Sequence, residues 1–456
     1  MITGLDSYLK FWCQSIDQAI LEINKMLKNN KEHILLFLIF LISMCIRILC
    51  ILKSASAPEA DERNYIEIAQ SLLNGAGFSI GGKPTSVTTP IYPLFLSLSF
   101  YLFGQNLFYA QLFQALLNSL ICIPLFILTK HIFKNTNIAL LASFLVAINL
   151  STIFSTIRFL TESLFPIFFL TFLTVFIISE KKVMISMAGV LLGLATLTRP
   201  VTILLPIFII FFLVLTKEYK KLLFFPFLIL TILPWTIRNY FVHHEFVPLT
   251  TQTGNIVYDA SHPVEDKIFG FRAPQDDVMR QANQMKSETE KNNFLLQMGI
   301  KSIQNAPLKY MKLAFSKFLF FWVPFDWEVV RILPKRGEFN FSYAFVMPFF
   351  ILCMFSLFST KDNKLHHRKQ LFVAFVLCYF VFFSSITYGS PRLRLPLEPL
   401  LILFASHGIY IFFKSFNRYT SSVLLLSFYF LNFHIFLKSA FYKEACATMM
   451  NRIGLW

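Results

Sequence analysis

Residues 34–52 read ILLFLIFLISMCIRILCIL, an almost entirely apolar run of nineteen residues. A helix rises about 1.5 Å per residue, so a run of this length matches a hydrocarbon core of about 30 Å. Comparable runs recur along the chain, and in lipid the backbone polar groups of such runs are satisfied within helices. The sequence therefore predicts an all-α polytopic membrane protein.

The runs that follow predict further transmembrane helices, for a total of about eleven. They lie at 107–129, 137–157, 161–179, 183–198, 200–216, 222–237, 342–359, 371–388, 395–413 and 420–437. The composition agrees, because 56% hydrophobic and 14% charged residues leave too little polar surface for a water-soluble globule of this size. No cleavage signature follows the first span, so we expect it to remain as an anchor.

The formal net charge of +16 would suit a nucleic-acid partner, but the basic residues form short clusters between the apolar runs. With the amino terminus inside, every short basic turn falls on the cytoplasmic side, as the positive-inside rule requires. The pattern therefore indicates membrane topology and argues against nucleic-acid binding. The clusters are Lys130 and Lys134, Lys181 and Lys182, Lys217 with Lys220 and Lys221, 361–369, and Lys414 with Arg418.

The same threading divides the chain into four regions. They are a cytoplasmic amphipathic segment at 1–33, a transmembrane catalytic module at 34–237 that includes a first outer loop at 53–106, an outer helical region at 238–341, and C-terminal transmembrane helices at 342–456. Alternating charges at 263–312 predict a helical cap over an outer cavity, although a solvated face explains them equally well. The short run 313–325 is interpreted as an interfacial helix.

The first outer loop begins with adjacent carboxylates, Asp61 and Glu62, about nine residues beyond the first span. The residues that follow recur at helical spacing, and a glycine-rich turn ends the pattern. A carboxylate at the membrane surface could accept a proton from a sugar acceptor, and Asp61 is the candidate base. The alternative is that both acids solvate the loop and start a helix, where the macrodipole favours negative charge.

Several motifs in order resemble the GT-C glycosyltransferases, in the branch of protein O-mannosyltransferases and lipid A aminoarabinose transferases. The resemblance extends over about 55 to 410. The matching stretches are Asp61-Glu62 with Tyr65, Ile68-Ala69, Leu72 and the glycine-rich turn; Pro90-Ile91-Tyr92-Pro93; Thr161-Glu162-Ser163-Leu164-Phe165; 193–200, GLATLTRP; 234–240, PWTIRNY; and 392–399, RLRLPLEP.

The resemblance implies a GT-C-like bundle with amphipathic outer-loop helices and an outward cavity. It also implies an inverting transfer from a polyprenyl-phosphate-linked sugar, with Asp61 as the catalytic acid-base residue. In the aminoarabinose branch an acid and a lysine precede the proline pair and help to hold metal and phosphate, whereas this chain has 86–90, SVTTP. A divalent metal is therefore left as a possible cofactor with unknown ligands.

Glu162 is predicted at the outer end of a span, where an ionised group is costly, so it joins Asp61 and Glu62 as a catalytic candidate. An intrahelical ion pair with Arg158 is the alternative. Four arginines at outer span ends could grip the carrier phosphate, or could simply extend to the interface. The substrate-binding candidates are Arg199, Arg238, Arg392 and Arg394, together with Tyr65, Lys83, Tyr92 and Asn239.

The predicted function is transfer of a sugar from a polyprenyl-phosphate donor to an extracytoplasmic lipid, glycan or protein acceptor. The composition favours a bacterial inner membrane and an undecaprenyl carrier. A transporter or lipid-carrier flippase shares many spans and intramembrane charge, but the internal duplication common in transporters is not evident. A structural membrane protein is a third interpretation. The sugar, the acceptor and the oligomeric state are not determined by sequence spacing.

Overall fold

The computed structural model describes residues 30–53, 57–59, 61–262, 276–324, 339–359, 364–387, 389, 391–415 and 418–438. Residues 1–29, which hold most of the predicted amphipathic segment, lie outside the described residues. The fold is nearly all helical, as predicted.

The first half of the chain contributes helices α1 to α11. They are α1 (Asn30–Lys53), α2 (Asp61–Leu73), α3 (Ile91–Phe103), α4 (Leu107–Ser119), α5 (Cys122–Phe133), α6 (Thr136–Ala147), α7 (Leu150–Ile157), α8 (Phe165–Ile178), α9 (Lys182–Thr198), α10 (Leu205–Thr216) and α11 (Phe224–His243). Short 3-10 turns at Thr161–Ser163, Pro200–Thr202 and Tyr219–Leu223 join some of them.

The second half of the chain contributes helices α12 to α19. They are α12 (Thr253–Ser261), α13 (Asp277–Gln284), α14 (Glu288–Asn305), α15 (Pro307–Phe321), α16 (Phe341–Ser359), α17 (Lys364–Ile386), α18 (Glu398–Ser415) and α19 (Arg418–Leu437). Two 3-10 turns, Pro391–Leu393 and Leu395–Leu397, lie between α17 and α18.

A two-stranded hairpin follows α2. Strand β1 (Ser79–Ile80) pairs antiparallel with β2 (Lys83–Pro84), with Ile80 opposite Lys83. The turn residues Gly81 and Gly82 have φ of 58° and 72°. Both angles lie where side chains other than glycine are strained, which explains the paired glycines of a tight hairpin.

Within the described residues, six helical segments are long and apolar enough to cross a membrane, and the pair α6 and α7, bent by 44°, is a seventh if it is counted as one span. The six are Lys31–Lys53, Leu107–Phe133, Thr161–Ile178, Tyr219–His243, His367–Ile386 and Leu395–Ser415. Shorter apolar helices, including Lys182–Thr198 and Phe341–Leu357, accompany them. The chain is thus an integral multi-pass membrane protein, while the total of about eleven spans stays a prediction.

Glycines allow close packing of spans, as is common between helices in lipid. A Cβ placed on Gly189 of α9 would lie 2.1 Å from the Phe224 carbonyl oxygen at the start of α11. A Cβ on Gly408 of α18 would lie 1.9 Å from the Phe349 carbonyl oxygen of α16. Both positions therefore exclude any larger residue unless the helices move apart.

Helices α12, α13 and α14 pack around a small core of Tyr258, Met279, Ala282 and Leu295, and we call these three helices the cap. Helices α13 and α14 lie within the predicted cap at 263–312, whereas α12 precedes it. Residues 263–275 of the predicted cap lie outside the described residues. Helix α15 follows the cap and packs against α17. Within the described part of the chain, α15 is not among the helices long and apolar enough to span. The interfacial assignment of 313–325 stays a prediction.

Candidate active site

The candidate site forms where four chain segments meet. Asp61 lies in the first turn of α2, Glu162 in the turn before α8, Arg199 directly after α9, and Arg392 in the turn after α17. The first turn of α2 is a favourable position for Asp61, because unpaired backbone N–H groups there carry partial positive charge. Residues more than 300 positions apart are therefore brought to one end of the bundle.

Arg392 connects two of the predicted carboxylates. Its Nε donates to Glu162 Oε1 across 2.6 Å, and its Nη1 donates to Asp61 Oδ2 across 3.3 Å. Arg199 Nη1 lies 2.8 Å from the same Glu162 oxygen. Glu162 thus holds two guanidinium groups together, and one of them reaches Asp61.

The two carboxylates differ sharply in accessibility. The side chain of Glu162 is 2% exposed, whereas that of Asp61 is 53% exposed. A buried carboxylate between two arginines suits a positioning role, since removing it would leave uncompensated charge. The accessible carboxylate suits proton transfer with a substrate, because a catalytic base must come within hydrogen-bond reach of the reacting group.

Glu62 is directed away from Asp61, because successive residues of a helix point about 100° apart. It is buried, and its Oε1 lies 2.7 Å from Arg158 Nε and accepts from the Phe159 amide across 2.8 Å. Its Oε2 accepts from the Glu59 amide. Glu62 therefore fastens the start of α2 to the segment after α7.

Arg158 is consequently not the partner of Glu162. Helix α7 ends at Ile157, and Arg158 has extended backbone, so the two residues do not share a helix and the alternative of an intrahelical pair is wrong. Arg158 is 6% exposed, and its Nη1 has no hydrogen-bond partner among the described residues. A buried guanidinium nitrogen in that state is a candidate for contact with an anionic ligand.

A second polar cluster lies beside the hairpin. Arg238 Nη1 donates to the Thr85 carbonyl and to Ser86 Oγ, and its guanidinium lies over the rings of Trp235 and Phe78. Asn239 is buried, accepting from Ser86 Oγ. These contacts fix the first outer loop against α11, so Arg238 and Asn239 have structural partners in addition to the predicted role with substrate.

Glu288 joins the cap to this second cluster. Its carboxylate accepts from Thr85 Oγ1 across 2.6 Å, from the Ser86 amide across 3.0 Å and from Thr251 Oγ1 across 2.9 Å. In the sequence, Glu288 is one of the alternating charges at 263–312, which predict a helical cap or a solvated face. Its partners Thr85 and Ser86 lie 203 and 202 positions earlier in the chain, so no local pattern distinguishes Glu288 from neighbouring acids.

The predicted tyrosines lie close to the carboxylates. The rings of Tyr65 and Tyr92 are 5.1 Å apart and edge-on, and Tyr92 Oη donates to Gln114 Oε1. Burial raises the pKa of Tyr65, and the negative charges of Asp61 and Glu162 raise it further. Tyr65 therefore remains a neutral hydroxyl at physiological pH.

Arg394 and Lys83 lie apart from this arrangement. Arg394 is buried, donating to Glu398 Oε1 across 3.2 Å and to the Phe321 and Val323 carbonyls across 2.8 Å. Its guanidinium carbon lies 3.5 Å from the centre of the Tyr343 ring. Lys83 is exposed on β2. Their predicted roles in substrate binding stay predictions.

The described residues contain no group of three or more His, Cys, Asp or Glu side chains positioned to hold a metal. His243 Nε2 lies 2.8 Å from Ser86 Oγ, whereas Glu245 accepts from Thr289 and Asn293 of the cap. Since Arg392 occupies the space between Asp61 and Glu162, this carboxylate pair does not fit a metal either.

A family model described as dolichyl-phosphate-mannose-protein mannosyltransferase matches residues 84–237. No curated protein matches the sequence. Among solved structures, the archaeal oligosaccharyltransferase AglB from Archaeoglobus fulgidus, in complex with an inhibitory peptide and a dolichol-phosphate, is 12% identical with a TM-score of 0.53. ArnT from Cupriavidus metallidurans, bound to undecaprenyl phosphate, is also 12% identical with a TM-score of 0.53.

This chain has a GT-C fold. The similarity to AglB covers 92% of this chain and 56% of AglB, and that to ArnT covers 82% of this chain and 60% of ArnT. The chain thus spans less than two thirds of each of these proteins. The predicted resemblance to GT-C glycosyltransferases is confirmed.

Proposed function

We propose that this protein is an inverting glycosyltransferase that moves a sugar from a polyprenyl-phosphate donor to an acceptor. The observation that carries the proposal is the exposed Asp61 carboxylate beside Arg392, which is itself held by the buried Glu162. A base and a phosphate-binding cation lie side by side in that arrangement. Inverting transfer requires both, with no covalent enzyme intermediate.

In the proposed reaction, the acceptor oxygen or nitrogen attacks the anomeric carbon of the donor sugar. Asp61 takes the proton from the acceptor as the new bond forms. The bond between the anomeric carbon and the phosphate oxygen breaks, and its electron pair leaves with the polyprenyl phosphate. Arginine donors can stabilise the charge that develops on the departing phosphate.

The roles of the neighbouring residues follow from their contacts. Glu162 orients Arg199 and Arg392, and Glu62 orients Arg158. We place Arg392, Arg199 and Arg158 on the carrier phosphate, because each belongs to the carboxylate cluster and a guanidinium can bind phosphate with two donors. Arg238 and Asn239 shape the neighbouring loop.

We also propose a polyprenyl carrier, an extracytoplasmic active site and a bacterial inner membrane. The lipid-linked carrier of the structural neighbours, dolichol-phosphate for AglB and undecaprenyl phosphate for ArnT, supports a polyprenyl carrier here. Basic turns at the opposite end of the bundle favour an extracytoplasmic site under the positive-inside rule. Undecaprenyl phosphate and a bacterial inner membrane agree with the composition of the chain.

The test is genetic complementation followed by mass spectrometry of envelope glycans and lipids. A strain that lacks the gene receives the wild type, Asp61→Asn or the control Asp277→Asn, which removes an exposed acid of the cap. We expect the wild type and control to restore the same glycosylated product and Asp61→Asn to restore none at equal membrane abundance. Full restoration by Asp61→Asn would refute the proposal, as would labelling of a cysteine at position 61 from the cytosol alone.

A further inference from the structure

A cavity of about 470 Å³ lies at the end of the bundle opposite to the carboxylate and arginine site. Helix α8 follows Glu162 and ends at Ile178 beside the cavity, while α17 starts at the cavity and ends before Arg392. The span Thr161–Ile178 has 18 residues, which corresponds to about 27 Å of helix. The two sites are therefore separated by nearly the thickness of a hydrocarbon core.

The cavity has an apolar floor and a basic rim. The floor contains Phe176, Ile177, Phe212, Leu213 and Phe372. The rim contains Lys217, Lys220, Lys221, Arg368 and Lys369, with Glu180 and Glu218 as the acids. Five basic against two acidic side chains leave an excess of three positive charges around one recess.

Both rim acids are engaged by the same lysine. Lys221 Nζ lies 3.3 Å from Glu180 Oε1 and 3.0 Å from Glu218 Oε2, and it lies over the Phe176 ring. The Lys221 side chain is 7% exposed, so it is buried between the two acids and is not available to a ligand. Lys217, Lys220 and Arg368 have no ion-pair partner among the residues that the structure describes, which leaves them available to an anionic ligand.

The backbone at Lys217 is unusual for a lysine. Its φ of 60° and ψ of 30° place it in the left-handed region at the end of α10. Glycine is the common residue at such a helix end, because it adopts this conformation without steric cost. A lysine here brings a cation to the rim at the expense of local backbone stability.

An exposed apolar surface adjoins the rim. Phe211, Val214 and Leu215 of α10, which precede Lys217, are exposed by 58%, 47% and 66%. In a membrane this face contacts acyl chains. A molecule with a phosphate at the rim and hydrocarbon along α10 would satisfy both surfaces at once.

We propose that this cavity binds the phosphate headgroup of an anionic phospholipid from the leaflet opposite to the carboxylate and arginine site. Basic pockets between transmembrane helices are suited to such headgroups. The positive-inside trend alone predicts scattered basic residues at this end, whereas the recess concentrates them over an aromatic floor. The proposal does not depend on transferase activity, because its test measures lipid binding.

The test compares two double variants of the full-length protein purified in detergent. Lys217→Gly/Arg368→Gln removes two rim cations. Lys134→Gly/Lys414→Gln removes two cations outside the cavity lining, and Lys134, with φ of 51°, also has left-handed backbone. Both glycine replacements suit the local backbone, so both variants should fold, which thermal unfolding verifies.

Dioleoylphosphatidylglycerol, dioleoylphosphatidylcholine and inorganic phosphate are titrated separately, with native mass spectrometry as the readout. We expect saturable binding of phosphatidylglycerol that weakens about tenfold in the rim variant and changes less than about twofold in the control. Equal weakening in both variants would overturn the site, because it would reflect general attraction to charge. Equal binding of phosphatidylcholine, or competition by inorganic phosphate at similar affinity, would overturn the assignment to an anionic lipid.

Discussion

Arg392 Nε donates a 2.6 Å hydrogen bond to Glu162 Oε1, although the two residues are 230 positions apart. Arg392 Nη1 then reaches Asp61, so the position of the exposed carboxylate depends on the buried one. The two acids have different surroundings and should respond differently to neutralisation.

Asp61→Asn is expected to abolish transfer with little change in stability, because the side chain is half exposed. Glu162→Gln should lower transfer by about 100-fold through misplaced arginines, and should also lower stability, because it leaves two guanidinium groups without their shared carboxylate. Transfer assays and thermal unfolding on the same preparations separate the two effects. Equal loss of stability in both variants would contradict these distinct roles.

The local structure around Asp61 could be predicted from sequence, whereas its partners could not. Acidic residues, helical spacing and a following glycine-rich turn indicated the helix that the structure shows at Asp61–Leu73. The pairs Glu162–Arg392 and Glu62–Arg158 join distant segments, and no spacing rule specifies them. That adjacent acids point apart on a helix follows from geometry, but which one faces inward depends on packing.

Arg47 is a buried arginine within the first transmembrane helix α1. It lies within the first apolar run, and a charge there is a signal of function or of a buried network. Its Nε and Nη2 donate to Asn118 Oδ1, and further donors reach Ser43, the Ala147 carbonyl and Thr152. The partners belong to four different helices. An arginine within an apolar run is therefore conspicuous in the sequence, but its hydrogen-bond partners can be identified only from the fold.

Arg394→Met is expected to impair folding without a specific effect on donor binding. The Arg394 and Glu398 side chains are 0% and 1% exposed and form an ion pair. Removing one member of a buried pair costs about 3–5 kcal/mol, because the other charge is left uncompensated. Membrane abundance and unfolding temperature should fall, while the surviving protein keeps the wild-type KM for the donor. A raised KM at unchanged stability would instead favour the predicted role in substrate binding.

Gly254→Ala is expected to disrupt the cap. A Cβ at this position would lie 1.9 Å from the Asn292 carbonyl oxygen of α14, so the two helices would have to separate. Overpacking of this kind costs about 1–3 kcal/mol. The control Lys301→Ala changes an exposed position of α14 and should leave the cap intact. Protease digestion measures the difference, and equal resistance of the two variants would contradict the close approach of α12 and α14.

Lys317 should make stability depend on pH in the alkaline range. It lies on α15, is 2% exposed, and donates to the Ala260 carbonyl across 2.6 Å. Burial lowers the pKa of Lys317 to about 7 from an ordinary 10.5, so the folded protein binds fewer protons than the unfolded chain between these values. Stability contributed by Lys317 therefore rises with pH across that window.

The measurement is the unfolding temperature of the wild type and of Lys317→Met from pH 7 to pH 10. The unfolding temperature of the wild type should rise relative to that of Lys317→Met as pH increases, because only the wild type carries the buried amine. Lys312→Met, an exposed change on the same helix, serves as the control and should follow the wild-type curve. Asp259 does not confuse the result: burial raises its pKa to about 6 from 3.8, so its effect lies at lower pH. Parallel curves for the wild type and Lys317→Met would show that this amine is not buried in its neutral form.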